Sequence, residues 1–427
     1  MNALRIIIAS MFIASSLVIN SFGSKAWTTT GKPDLQRLRW KSRTIKIAVS
    51  SSLTLPNSNM KTDSDVIGAI RRSIQSWQNV AGIELLVEAS DKQNVSPSGS
   101  TGDGVSLITI AQSPENVLLF SKNPLAESAK TRVFYNRKSF ITEADIVLSP
   151  FQQFSTDGTF GTFDLESTLT HEIGHLLGLR HSVVLGSTMC GNLSTNGTFG
   201  FTDFGSRTLA DSDISAIREL YGSEIDIDDC CATISGKLTV SATRKSRYIR
   251  VWAEDIKTGR VVAQVETGND GNFRLGGLPE ATYSLFWQKR DDGDGPSFGE
   301  LGPVRLDNGE ARLLNEKITL RRSGIALDLV GVNSQLGDSS VTVNAGREYL
   351  VYLGGKNLDP KNINIEFNSP FFRVSPSSIT SRDFGDGISV ISFLVTIDVN
   401  AEPGVYSIFA AAADGSRASL IGALNLE

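Results

Sequence analysis

Histidine and cysteine are scarce in this sequence, and charge of neither sign dominates it. The 427 residues include three histidines, three cysteines, 41 basic and 46 acidic side chains, which gives a formal net charge of -5. Without a basic face or a polybasic segment, the chain is not expected to bind nucleic acid or an anionic membrane. No repeat of about 20 to 50 residues is present, which argues against solenoids and propellers. The length favours two or three globular domains.

Long apolar runs are also lacking, apart from one near the N terminus. Arg5 precedes the apolar run Ile6 to Ile19, and small or polar residues follow it up to Ala26. This pattern predicts a signal peptide, residues 1–26. A membrane anchor is the alternative, but the run is shorter than the roughly 20 residues that span a bilayer. The mature protein is therefore expected to be secreted, or periplasmic if the source is Gram-negative, with no transmembrane anchor.

The three cysteines are Cys190, Cys230 and Cys231, which allow one disulfide and one remaining thiol in an exported chain. A bond from Cys190 to Cys230 or Cys231 is favoured, because a bond between adjacent cysteines strains the local geometry. Three buried thiols are the alternative.

Residues 27–223 mix strand and helix patterns. Period-two alternation and β-forming residues predict strands at 44–50, 83–89, 104–111, 131–136 and 144–149. Helical periodicity predicts helices at 65–80, from about Asp164, and at 212–221. This order of elements is typical of an α/β or α+β domain.

The pattern changes after an acidic linker that carries the cysteine pair, residues 224–231. Short strands then alternate with turns and no convincing helix is seen, so two all-β sandwich domains are expected at 232–321 and 322–427. Trp252 and Trp287 are expected in the core of these strands rather than on a binding surface.

The segment DDGDG, from Asp291 to Gly295, could suggest calcium. Pro296 falls where a calcium loop would require a ligand, so a hairpin turn is the better interpretation and Ca2+ is possible but unsupported.

All three histidines lie in one stretch, HEIGHLLGLRH, from His171 to His181. On a helix, His171 and His175 project from the same face, about one turn apart. Gly178 can take a positive φ, end the helix and turn the chain so that His181 approaches the same point. Three imidazoles suit one Zn2+ ion and leave a fourth position for water.

Glu172 follows the first histidine, points about 100° around the helix and can act as the general base. The alternative is an ordinary amphipathic helix that happens to carry histidines. A bare H-E-x-x-H often occurs by chance, whereas the extended pattern H-E-x-x-H-x-x-G-x-x-H is far more specific.

The extended motif resembles the metzincin zinc endopeptidases, in which a methionine turn follows the third histidine. Met189 is the candidate for this structural methionine. Ser182 after the third histidine, and the spacing from His181 to Met189, are similar to the matrixin family.

The resemblance spans roughly residues 27–223. It implies an α+β metzincin-like catalytic domain with a mixed five-stranded sheet and long helices, and one catalytic zinc held by His171, His175 and His181. A protein or peptide substrate is expected to lie along an edge strand, for which 131–136 is the candidate.

The sequence also departs from the matrixin pattern. Cys190 and Gly191 stand where matrixins usually carry Tyr and Pro, so no substrate preference is carried over. No further histidine is present to hold a second, structural zinc, and no cysteine precedes Cys190 to act as a propeptide switch.

The β units resemble a carboxypeptidase-regulatory-like or transthyretin-like sandwich at 232–321 and an immunoglobulin-like sandwich at 322–427. They are candidates for binding a cell-surface or matrix partner.

Together these features predict a secreted zinc metalloendopeptidase in which Glu172 activates the attacking water. The alternative is a non-catalytic extracellular adhesion or binding protein that uses the β units on a metalloprotease-like scaffold. Loss of activity usually removes the glutamate or a histidine, and all of them are present here, which favours the enzyme.

Overall fold

The computed structural model describes residues 37–122, 127–202, 204–223, 230–240, 248–291, 295–385 and 387–427. The predicted signal peptide, residues 224–229 of the acidic linker and the tip of the Asp-rich turn at 292–294 lie outside the described residues. Among the described residues, no helix combines the length and the apolar character needed to span a membrane.

The region before the cysteine pair combines one mixed sheet with several helices. Its elements in chain order are β1 (Arg39–Trp40), β2 (Thr44–Ser50), α1 (Val66–Gln78), β3 (Glu84–Ser90), β4 (Leu107–Thr109), α2 (Pro114–Leu118), β5 (Ala129–Tyr135), β6 (Phe140–Leu148), β7 (Phe154–Ser155), β8 (Phe163–Asp164), α3 (Leu165–Leu176) and α4 (Asp211–Tyr221). The predicted strands and the three predicted helices are confirmed, with ends that differ by a few residues.

The sheet has the strand order β1-β6-β4-β2-β3, and β5 pairs antiparallel with β6. It therefore has six strands, and the prediction of five was wrong. The extra strand is the two-residue β1, which pairs parallel with β6 and is too short to produce a periodic signal. Within the described part of the chain, β5 pairs with β6 alone, so its other side is an open edge.

Helix α1 holds the histidine-bearing helix α3 in place. Asp65 caps α1 by accepting a hydrogen bond from Gly68 N, and Ile70, Ile74 and Trp77 form its buried stripe. The Trp77 Nε1–H donates to the Thr170 carbonyl at 2.9 Å, which satisfies the indole and fixes the packing of the two helices.

The first sandwich, residues 232–318, has two sheets around one core. Its strands are β9 (Ala232–Val240), β10 (Arg250–Asp255), β11 (Val261–Glu266), β12 (Asn272–Leu278), β13 (Ala281–Asp291), β14 (Gly295–Leu306) and β15 (Ala311–Ile318). The sheets are β11-β10-β13-β14 and β12-β9-β15, and Phe273 of one and Leu285 of the other belong to the shared core. Trp252 and Trp287 are buried, as predicted. β13 and β14 pair antiparallel on either side of the Asp-rich turn.

The second sandwich, residues 326–426, is built in the same way. Its strands are β16 (Ala326–Gly331), β17 (Val341–Val343), β18 (Glu348–Lys356), β19 (Ile363–Glu366), β20 (Phe372–Val374), β21 (Thr380–Arg382), β22 (Ser389–Ile397), β23 (Gly404–Ala412) and β24 (Arg417–Leu426). β16-β18-β22-β20, with β21 on β22, forms one sheet, and β17-β24-β23-β19 forms the other. Phe393 of the first sheet and Leu424 of the second belong to the core between them. The domain boundaries and the families of both sandwiches stay predictions.

The predicted cysteine pairing was wrong. Cys230 and Cys231 form a disulfide with each other, and Cys190 lies outside any disulfide. Cys190 is buried in a tight turn, where its N–H donates to the Ser187 carbonyl and its backbone pairs with Ser182. The cysteine count alone does not reveal this burial of Cys190, which depends on tertiary packing.

Candidate metal centre

Helix α3 begins at a well-determined position. The Asp164 carboxylate accepts a hydrogen bond from Ser167 N at 2.8 Å and two more from the Arg207 guanidinium, at 2.6 and 2.9 Å. Asp164 is therefore the N-cap of α3, strengthened by a bidentate arginine. Every residue of α3 is buried, so the two histidines that it carries lie inside the protein.

The chain reverses direction directly after α3 and brings the third histidine back to the other two. Gly178 has a φ of 103°, as its predicted role in the turn requires, and a Cβ there would lie 2.2 Å from the Leu38 carbonyl oxygen. The structure thus brings His171, His175 and His181 together, with candidate ligand atoms within 4.8 Å of one another. His171 and His175 are buried, and His181 is exposed.

Backbone carbonyls orient the two buried imidazoles. His171 Nδ1 lies 2.7 Å from the Thr188 carbonyl oxygen, and His175 Nδ1 lies 2.9 Å from that of Leu179. A carbonyl only accepts, so Nδ1 carries the proton in each ring and the lone pair of the neutral ring is on Nε2. Burial lowers the pKa of His171 to about 3 and that of His175 well below its usual value, so both rings are neutral at pH 7.

This donor set fits a zinc ion. Zinc favours neutral imidazole nitrogens whose other ring N–H is hydrogen-bonded to the protein, and three such ligands leave one coordination position for water. The side chains that would hold it are those of His171, His175 and His181.

The carboxyl of Glu172 is also buried. It follows His171 on α3 and accepts a hydrogen bond from the Thr131 hydroxyl of the edge strand β5. Burial raises its pKa to about 7, although the Thr131 hydrogen bond acts in the opposite direction. The sequence named 131–136 as the edge strand, but nothing in its pattern indicated that Thr131 contacts the predicted base.

Met189 lies in a tight turn beneath α3. Its carbonyl accepts from Ser182 N at 2.7 Å, and its Sδ lies against Gly174. The carboxylate of Asp213, on α4, fixes this turn by accepting hydrogen bonds from the Thr188 and Met189 N–H groups and from the Ser187 hydroxyl.

The sequence pattern did not identify Asp213 as part of the site. Its one signal was an acidic residue in the first turn of α4, which an ordinary helix N terminus also explains.

The residue after Cys190 is close to the third histidine. A Cβ on Gly191 would lie 3.0 Å from His181 Nδ1, so this glycine allows the chain to pass directly against the imidazole. Gly191 is one of the two positions at which the sequence departs from the matrixin pattern, and the structure places it against the His181 ring.

Residues 39–222 match the family model Peptidase_M10, Matrixin. This matrixin segment runs from β1 to the end of α4, and it contains the three histidines, Glu172 and Met189. At the level of the family, a matrixin domain indicates a metallopeptidase that acts on protein. None of the curated proteins matches the chain.

The chain also resembles several solved structures. The major pilin subunit of Bacillus cereus is 12% identical over 44% of this chain and 66% of the pilin, with a TM-score of 0.20. An adhesin from Bacteroides ovatus, described as putative, is 8% identical over 44% of this chain and 80% of its own, with a TM-score of 0.16. A dioxygenase domain from Streptomyces sp. SirexAA-E is 16% identical over 22% and 82%, with a TM-score of 0.17. Likenesses at these scores carry no argument about function.

Proposed function

We propose that the protein is an exported zinc-dependent endopeptidase that hydrolyses peptide bonds. The observation that carries the proposal is the convergence of three imidazoles, two of them buried and neutral, together with the buried carboxyl of Glu172 on the same helix α3. The match of residues 39–222 to the matrixin family supports the same reaction class.

His171, His175 and His181 are the proposed ligands of a single zinc ion. When bound, zinc supplies Lewis-acid activation of a water molecule and of the scissile carbonyl. The protein contributes the tautomer of each buried imidazole, through the carbonyls of Thr188 and Leu179, and therefore the direction of the Nε2 lone pair.

Glu172 is the proposed general base. A carboxyl with a pKa of about 7 can take a proton from the attacking water and later release it to the leaving amine near neutral pH. The Thr131 hydroxyl donates to the carboxylate and limits its rotation. Thr131 is therefore a proposed positioning residue.

The open side of β5 is the proposed place for substrate. An extended peptide adds to a free strand edge through main-chain hydrogen bonds, and β5 pairs with a single neighbour in the described structure. Because Thr131 belongs to β5 and contacts Glu172, a peptide bound at this edge passes the predicted base.

Export is proposed from the N-terminal pattern. The Cys230–Cys231 disulfide supports it, because disulfides persist in oxidising compartments. N-terminal sequencing of the protein recovered outside the producing cell checks this, with a mature chain that starts near residue 27 as the expected result.

A digestion assay with casein tests the reaction. The wild-type protein is expected to cleave casein and to lose this activity when a chelator removes the metal. Glu172→Ala is expected to keep stoichiometric zinc and lose about 10²- to 10⁴-fold in rate, the usual contribution of a general base. Equal cleavage by the wild type and Glu172→Ala would contradict the mechanism. Tightly held zinc without cleavage of a broad peptide library would favour the adhesion alternative.

A further inference from the structure

The second sandwich makes main-chain hydrogen bonds to the loop that carries Met189. This loop, residues 182–210, connects the third histidine to α4 and is called the site loop below. Its Leu185 N donates to the Ile421 carbonyl at 2.9 Å, and its Gly186 N donates to the Gly422 carbonyl at 3.0 Å. Both acceptors belong to β24, so consecutive residues of the site loop pair with consecutive residues of one strand.

Apolar side chains pack around the same contact between the site loop and the second sandwich. Val184 of the site loop is completely buried in a cluster that combines residues of three regions. The cluster consists of Val184 and Ala210 from the site loop, Trp252, Val261 and Phe286 from the first sandwich, and Val405, Phe409 and Ile421 from the second. A Cβ on Gly186 would lie 2.8 Å from Val405 Cγ1, so the loop backbone itself packs on this valine. Removing the second sandwich would expose this face of the site loop to water.

A second attachment lies on the far side of Met189. Phe199 has a φ of 55° and its ring is part of the hydrophobic core of the second sandwich. The Asn333 side-chain amide donates to the Phe199 carbonyl at 2.8 Å, and that of Asn192 donates to the Asp338 carboxylate at 3.0 Å. The second sandwich therefore holds the site loop before and after the methionine.

The histidine contacts lie between these two attachments. Thr188 supplies the carbonyl that orients His171, and Gly191 lies against the His181 ring. We infer that the second sandwich is part of the metal centre, because through Val405 and the β24 backbone it positions the site loop that orients His171 and His181. This inference rests on the proposed zinc peptidase function, and it assigns a positioning role to residues far from the reacting atoms.

Two valines of the second sandwich form a matched pair for testing it in the full chain. Val405 packs against the site loop, whereas Val395 is equally well buried in the interior core of the same sandwich. Val405→Ala and Val395→Ala remove the same atoms, so both are expected to lower the melting temperature. Zinc affinity is measured by competition with a chelator, and hydrogen exchange of residues 183–190 is measured on the zinc-free protein.

Val405→Ala is expected to weaken zinc binding by about 10- to 100-fold, the range for residues that orient metal ligands, and to speed exchange in the site loop. Val395→Ala is expected to leave both unchanged. Equal zinc affinity and equal exchange in the two variants would overturn the inference.

Gly422→Ala provides an independent test in case Val405→Ala perturbs the site loop too little to change zinc binding measurably. A Cβ there would lie 2.3 Å from Val184 Cγ1, whereas at Gly415, which also has a positive φ, a Cβ meets nothing within 4 Å. Gly422→Ala is expected to weaken zinc binding and Gly415→Ala to preserve it; equal affinities contradict the inference.

The exchange measurement also separates this inference from the proposed function. If the site loop exchanges faster in Val405→Ala and the wild-type protein cleaves no peptide, the positioning role is supported and the peptidase function is rejected.

Discussion

Met189 Sδ occupies the space that a side chain at position 174 would fill. A Cβ on Gly174 would lie 2.2 Å from that sulfur and 2.9 Å from Trp77 Cζ2. Glycine inside a helix is less favourable than alanine by about 1 kcal/mol, yet here it lets the methionine turn lie directly against α3 between the two histidines. Gly191, two residues after Met189, makes a second glycine-dependent approach, against the His181 ring.

Gly174→Ala is expected to destabilise the fold by about 1–3 kcal/mol, because the added methyl group overpacks the contact with Met189 and Trp77. Urea unfolding of a double-mutant cycle with Met189→Ala checks the cause. In the Met189→Ala background the cost of Gly174→Ala should be smaller, since the sulfur is gone. Equal costs in both backgrounds would show that the two residues are not coupled.

Asp213→Asn is expected to destabilise the protein by about 2–3 kcal/mol, because both carboxylate oxygens accept hydrogen bonds from backbone N–H groups. Oδ2 accepts from Thr188 and Ala210, and Oδ1 accepts from Met189. In either orientation, the Asn amide group points its NH2 at an N–H donor and leaves that donor unsatisfied. Urea unfolding measures the loss. Asp65→Asn is the control, and it should change little because asparagine also caps helices well.

Gly191→Ala is expected to weaken zinc binding with little change in stability. Its φ is not in the left-handed region, so alanine adds no backbone strain, and the three atoms nearest to the new methyl group all belong to the exposed His181 ring. A displaced metal ligand should reduce affinity by about tenfold or more. Chelator competition gives the affinity and thermal unfolding gives the stability. Unchanged zinc affinity would mean that the His181 ring accommodates the methyl group and still reaches the zinc ion.

Glu254→Gln is expected to change how stability depends on pH. Glu254 is completely buried in the first sandwich, where it accepts hydrogen bonds from Trp252 Nε1 and from Asn368 of the second sandwich. Burial raises its pKa to about 7, so the folded state holds the proton more tightly than the unfolded chain does. The protonated Glu254 carboxyl therefore contributes to the free energy of unfolding. This contribution is complete at pH values below the pKa of the unfolded chain and is lost as pH rises through about 7.

The free energy of unfolding that the wild-type protein loses as Glu254 ionises amounts to at most roughly 3 kcal/mol. Glutamine cannot ionise, so Glu254→Gln should become more stable relative to the wild type as pH rises from about 5 to 8. Unfolding free energies at a series of pH values test this. Asp145, whose pKa burial also raises to about 7, acts with the same sign in both proteins and cancels in the difference. Parallel profiles would show that Glu254 does not titrate in this range.

Much of the matrixin segment was predictable from neighbouring residues. Periodicity located α1, α3 and α4, and α3 begins directly after Asp164, close to the predicted start. Strand β1 was missed because two residues carry no period. The roles of His171, His175, His181, Glu172 and Met189 in binding and catalysis stay predictions, although the structure brings the three histidines together and places Met189 against Gly174.

Neighbouring residues alone set the features that depend on local geometry. Two histidines four residues apart share a helix face, and Gly178 accepts the positive φ that returns the chain towards them. The packing of distant segments set the rest: the Asp213 contacts with the methionine turn, the burial of Cys190 away from Cys230 and Cys231, and the pairing of Leu185 with Ile421. These contacts join residues that are remote in the chain or depend on how a turn packs, so no periodicity or motif spacing encodes them.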